Sequence, residues 1–162
     1  MESLELIEKL VSNSEKHRMI NLQEEHQNKE YEGLTFNIEQ HTFRSRLAKK
    51  TPKKKGYFVV FWEKDKDNKN QPYAFDNMPE KLIVSIIDNH LIGQFVFPKL
   101  LLLEKGILKS ENDKGKMAMR VYPSWENELN NSARKTQKWQ ETYFINLSNE
   151  IDTQRAAALY FT

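Results

Sequence analysis

The chain has 162 residues, 38% hydrophobic, 30% charged and 11% aromatic, with no cysteine and a formal net charge of +2. That is enough apolar material for one buried core, which argues against disorder and suits a single domain; the missing cysteines exclude disulfides, cysteine-ligated zinc and thiol catalysis. No apolar run approaches the roughly 18 residues that cross a bilayer, and the N-terminus MESLELIEKL lacks the basic start and apolar stretch of a signal peptide, so a soluble, cytoplasmic protein with no membrane partner is expected.

The charge is unevenly spread. Residues 1–40 hold nine Glu, three Lys and one Arg, a net of −5, which leaves +7 for residues 41–162. An acidic segment beside a basic body suggests internal docking, or a field that orients a partner.

In chain order, Leu4, Ile7, Leu10 and Val11 recur at helical spacing with Glu5, Glu8, Lys9 and Lys16 on the other face, which predicts a helix over 3–20 with Ser3 as N-cap. The polar residues 21–32 either extend it or form a second short helix, and Gly33 ends the acidic N-terminal helical segment, 1–32. Residues 34–144 then read as the core. Leu34, Phe36 and Ile38 alternate as in a strand, and Arg44 and Arg46 share one strand face. Thr51-Pro52 breaks the pairing, and Gly56 leads into YFVVFW at 57–62, a strand buried on both faces, with Trp62 in the core.

A polar turn follows at 63–72. LIVSII at 82–87 and LIGQFVF at 91–97 predict a hairpin around Asp88-Asn89-His90. Pro98 suits the first position of a short helix through Leu100–Leu103, with Gly106 closing it. A polar loop at 109–116, a strand at 117–122 ending at Pro123, and a helix at 132–144 complete the core; Ala133, Thr136, Trp139, Gln140 and Tyr143 form that helix's inner stripe. The tail, 145–162, gives no clear signal. The pattern is an α+β single domain with helices packed on a mainly antiparallel or mixed sheet.

Residues 44–55, RSRLAKKTPKKK, carry seven Lys or Arg in twelve positions and no acid. Phosphate polymers suit such a surface, because each cation that neutralises a phosphate releases a condensed counterion. The bland alternative is a solvated strand end.

Four segments, FRSRLAKKTPKKKGYFVVFWEKD (43–65), GQFVFPKLLLLEKGIL (93–108), GKMAMRVYPSW (115–125) and ARKTQKWQETYF (133–144), resemble the MepB family of small bacterial proteins. The resemblance brings no established biochemical activity. The family name reflects proximity to a multidrug-efflux pump, and its members resemble nucleic-acid-binding or restriction-endonuclease-like folds. Where the family has a basic residue before RVYP, this chain has Met117, which removes one charge from that strand.

Guided by these segments, the expected nucleic-acid contacts are Arg44, Arg46, Lys49, Lys53, Lys54, Lys55, Lys116, Arg120, Arg134, Lys135 and Lys138, touching backbone phosphates of DNA or RNA without base readout. The rival is a pocket of Tyr122, Trp125, Trp139 and Tyr143, with Glu126 or Glu128 nearby, that takes small cationic drug-like ligands. The alternative for Trp139 is simple packing. A metal-dependent nuclease is the third reading, resting on Asp67-Asn68-Lys69 with Glu63, Asp76 or Asp88, although that triplet falls in a polar loop. His17, His26, His41 and His90 lack ligand spacing, and no nucleotide-binding glycine loop or nucleophile elbow occurs. Neither a catalytic set, a metal site nor a cofactor is assigned.

Overall fold

The two longest apolar runs pair with one another. β8 (Lys81–Asp88) and β9 (Leu91–Pro98) form an antiparallel hairpin of eight residue pairs, turning at Asn89 with φ 57°. Both strands are buried on both faces, which is why they read as continuous apolar runs instead of alternating ones.

The computed structural model describes residues 1–12 and 18–162. Around the hairpin it adds α1 (Glu2–Ser12), β1 (Met19–Glu24), β2 (Leu34–Ile38), β3 (His41–Leu47), β4 (Lys49–Lys50), β5 (Tyr57–Val60), β6 (Glu63–Lys64), β7 (Asn70–Gln71), α2 (Lys99–Glu104), β10 (Ala118–Val121), α3 (Asn131–Gln140), β11 (Phe144–Asn146) and α4 (Thr153–Phe161). The main sheet runs β1-β2-β3-β8-β9-β11, antiparallel except for β3 with β8. A second sheet, β10-β5-β4, lies over it, and β6 with β7 closes a small hairpin. The fold is therefore α+β with helices on a mixed sheet, as expected, and the described residues form four α-helices.

Each face of the main sheet has its own core. Phe36, Ile38, Phe43, Ile83 and Val96 pack against Ile7 of α1 and Tyr160 of α4. On the other face Leu82, Val84, Ile86, Phe95 and Phe97 meet Tyr57, Val59, Phe61, Val121, Leu101 and Leu102. α1 and the second sheet thus lie on opposite sides, so the acidic helix does not cover the basic segment.

Several boundaries differ from the sequence reading. α1 is described through Ser12, and Met19–Glu24, expected as helix, is an edge strand. A bulge between Ile20 and Gln23, with Asn21 at φ 55°, interrupts its pairing. β1 is mostly exposed, so no alternation marks it. The rest of the expected helix at 13–17, including Lys16 and His17, lies outside the described residues. Ser3 sits inside the first turn instead of capping it; its amide and hydroxyl both donate to Glu32 Oε1, at 2.9 and 2.6 Å. α2 begins one residue after Pro98 and ends on Gly106 at φ +70°. There the Gly106 and Ile107 amides donate to the Leu103 and Leu102 carbonyls, a Schellman closure. α3 ends at Gln140 because Phe144 is needed beside Phe95 in the sheet. The ambiguous tail becomes α4, whose last carbonyls at Leu159 and Thr162 accept from buried Lys81 Nζ at 3.0 Å each.

Arg44 and Arg46 project from β3 into the layer between sheets, where they are buried. All five N–H groups of Arg46 are used: Nε donates to Val60 O, Nη1 to Glu25 Oε1 (2.7 Å) and Ser45 O, and Nη2 to Asn28 Oδ1 and Tyr73 OH. Arg44 Nε lies 3.0 and 3.2 Å from the two Glu25 oxygens, its guanidinium stacks 3.6 Å from the Tyr73 ring centroid, and its Nη1 meets Met78 Sδ. Tyr73 OH donates to Glu25 Oε2. Burial pushes the Glu25 carboxyl up, but the Arg46 and Arg44 charges and hydrogen bonds outweigh it and hold the pKa below the ordinary value.

Glu25→Gln should therefore cost about 3–5 kcal/mol in urea unfolding, since it leaves two guanidiniums inside without a counter-charge. The folded pKa of Glu25 is depressed, so its contribution is complete above the unfolded-state value and is lost as pH falls through the folded one. The acid limb of a stability–pH curve should flatten in Glu25→Gln.

Candidate nucleic-acid interface

With Arg44 and Arg46 enclosed, the expected cationic set loses its first two members: both are structural, and neither reaches solvent as a phosphate contact would. Lys49 is exposed on β4, with its ammonium 5.0 Å from the Tyr31 ring centroid. Beyond β4 the chain leaves the sheet at Thr51-Pro52 and makes a loop that presents Lys53, Lys54 and Lys55 to solvent.

That loop is held by Arg120 of β10. Its Nε donates to Lys55 O at 3.1 Å, and its Nη2 to Thr51 Oγ1 (2.8 Å), Lys55 O (2.9 Å) and Lys54 O (3.3 Å). Arg120 thus shapes the loop that carries the lysines, with its Nε and Nη2 turned to loop oxygens. Lys55 Nζ donates to Asn127 O at 2.7 Å and lies 3.8 Å from Glu128 Oε2.

The loop closes at Gly56, with φ +81°, and the Tyr122 ring lies against it: a Cβ at Gly56 would stand 2.7 Å from Tyr122 Cδ1. The free edge of β10 is completed by a side chain. Fully buried Gln140 of α3 accepts from Tyr122 N at 2.9 Å and donates to Arg120 O at 3.0 Å, standing in for a missing strand. Gln137 Nε2 donates to the carbonyls of Pro123 and Glu126, fixing the turn after β10. Both glutamines therefore serve the backbone.

Between α3 on one side and β10 with the 51–56 loop on the other runs a cleft in two parts that share Arg120 and Tyr122. One part, about 440 Å³, is bordered by Lys53, Lys54, Lys55, Glu128, Asn130 and Ser132. The other, about 230 Å³, is bordered by Lys105, Lys116, Thr136, Trp139 and Gln140. Six cationic residues and one carboxylate line the whole, so it favours anions. Lys105 was not legible as a member; it follows α2 in sequence and arrives by tertiary packing, its ammonium 5.3 Å from the Trp139 ring centroid. Arg134, Lys135 and Lys138 are exposed on α3 but do not line the cleft. Arg134 Nη2 donates to Asn131 Oδ1 within the helix.

The expected four-ring pocket is not assembled. Tyr122 and Trp139 share the smaller part of the cleft. Trp125 instead packs edge-on to Tyr57 and Phe144 and donates its Nε1–H to Tyr57 OH at 3.2 Å. Tyr143 rests against Phe97, as does the inner part of Trp139. Trp62, expected in the core, is half-exposed with Lys64 over its ring. Asp67-Asn68-Lys69 forms a surface turn in which Asp65 Oδ1 accepts from the Asp67 and Lys69 amides. Among the described residues no three His, Asp or Glu side chains gather as a metal set, and no helix is long and apolar enough to cross a membrane.

A family model described as MepB-like matches residues 25–146. The crystal structure of MepB superposes with a TM-score of 0.82 at 47% identity, covering 93% of this chain and 99% of that one. The structure of a bacterial homing endonuclease also aligns, at a TM-score of 0.44 and 13% identity over 83% of this chain and 82% of that one; a likeness that slight supports no inference. Curated proteins give no match.

Gln140→Leu should destabilise the protein by about 2 kcal/mol or more in chemical denaturation, because it strands the Tyr122 amide and the Arg120 carbonyl at the sheet edge.

Proposed function

We propose that this chain, which belongs to the MepB-like family, binds nucleic acid through backbone phosphates, without strong sequence preference. One observation carries the reading: all four sequence segments on which the family resemblance rests meet in the cleft. The first supplies Thr51, Lys53–Lys55 and Gly56, the second Lys105, the third Lys116, Arg120 and Tyr122, and the fourth Thr136, Trp139 and Gln140. Their combined product is a cationic groove with aromatic walls, the arrangement that tracks a phosphate chain while tolerating any base. Arg134, Lys135 and Lys138 lie on the exposed side of the helix that forms one wall, where they add to the local field. A partner of this kind suits a protein working in the cytoplasm.

The small-molecule reading has less support, since only Tyr122 and Trp139 of its four rings share a cavity, and the charge around them is positive, which repels a cationic drug.

The test is fluorescence anisotropy of labelled DNA at several salt concentrations, with wild type and the triple variant Lys53→Glu, Lys54→Glu, Lys55→Glu. Wild type should bind with a steep negative salt dependence. The triple variant should bind more weakly, and its log–log slope should be shallower by about 0.7–0.9 for each phosphate that is no longer neutralised. Unchanged affinity and slope would remove the lysine loop from the interface.

A further inference from the structure

Tyr122 is built as a fixed surface. Its ring lies on Gly56, at a place where the added Cβ would fall within 2.8 Å of two ring carbons. Its amide is tied to Gln140 Oε1 at 2.9 Å, and Pro123 follows it, which restricts the backbone to extended conformations. The residue borders both parts of the cleft, with Lys53–Lys55 beyond it on one side and Lys105 and Lys116 on the other. A phosphate chain running between the two lysine groups must pass the ring. A ring already immobilised loses little freedom when a flat partner settles on it.

Resting on the nucleic-acid reading above, we infer that the cleft takes a single strand, with one base unstacked onto Tyr122 and its flanking phosphates on the two lysine groups. In a duplex the bases are stacked on one another and their faces are closed to protein. A ring recessed between α3 and the 51–56 loop, in a cleft whose parts hold about 230 and 440 Å³, meets a base face only when the strand is open. Trp139 shares the smaller part, so an occupant there changes its surroundings directly.

The decisive comparison uses the intact protein and varies the ligand. Anisotropy is measured for an oligothymidylate of about 12 nucleotides, for an abasic deoxyribose-phosphate strand of the same length, and for a blunt duplex. The first should bind roughly five- to a hundredfold more tightly than the abasic strand and more tightly than the duplex. It should also change tryptophan emission in wild type but not in Trp139→Phe. Tyr122→Phe should keep the preference over the abasic strand and Tyr122→Leu should lose it. Equal affinity of wild type for the thymidylate, abasic and duplex ligands, with a steep salt dependence for each, would overturn the stacking inference and leave the phosphate-binding reading standing. Failure of all three to bind at low salt would overturn both. Because the ligand comparison is made in wild type, a folding defect in Tyr122→Leu cannot obscure the result.

Discussion

Arg46 carries the architecture. A fully enclosed guanidinium with every donor satisfied joins β3 to the turn after β1 through Glu25 and Asn28, to the end of β5 through Val60 O, and to the crossing segment through Tyr73. Backbone and side-chain acceptors from four stretches of chain are thereby fixed to one planar group. Gly33 is shaped to it, since a Cβ there would stand 3.1 Å from Nη1. Arg44 adds a second cation to the same carboxylate, and the surplus charge lies against the π-face of Tyr73 and the sulfur of Met78. Such a network costs desolvation and repays it only with complete hydrogen bonding. Arg46 has that; Asn28 Nδ2 nearby has no partner among the described residues.

This arrangement explains what the sequence could and could not reveal. The central hairpin was legible because β8 and β9 are apolar on both faces and end in turn residues. The helix at 132–144 was legible in its inner stripe but not its end, since Phe144 answers to Phe95 across the sheet, a contact no local pattern contains. β1 was missed because an exposed, bulged edge strand has no burial period to read. Arg44 and Arg46 share a strand face, as their spacing predicts, but that face is the buried one. Charge density in a run of twelve residues does not say which side of a strand faces the interior, and the acid that buries them lies some twenty residues away, at Glu25.

The cleft shows the same division. Its lysine loop was visible in the composition of residues 44–55, and Arg120, Tyr122 and Trp139 were picked out by the family segments. Their roles were not visible. Arg120 lines the cleft and is also a strut for the lysine loop, because planar guanidinium donors match backbone carbonyls as well as they match phosphates. Lys105 lies in the family segment 93–108, but nothing in its local pattern sets it apart there, because it reaches the cleft only through the packing of the chain after α2.

Arginine and lysine have in fact separated by task. Of the six arginines in the chain, Arg44, Arg46 and Arg120 hold loops and layers, and Arg155 of α4 donates to the carbonyls of Phe144, Thr142 and Glu141. The lysines of the cleft instead end at the surface, with buried Lys81 the exception elsewhere, closing α4. A rigid fork that needs specific acceptors suits the interior, and a hydrated point charge on a flexible stem suits the rim of an open cleft. The arginines build a frame that would read nothing. The lysines stand on it as movable charges beside a Tyr122 ring that the frame keeps still.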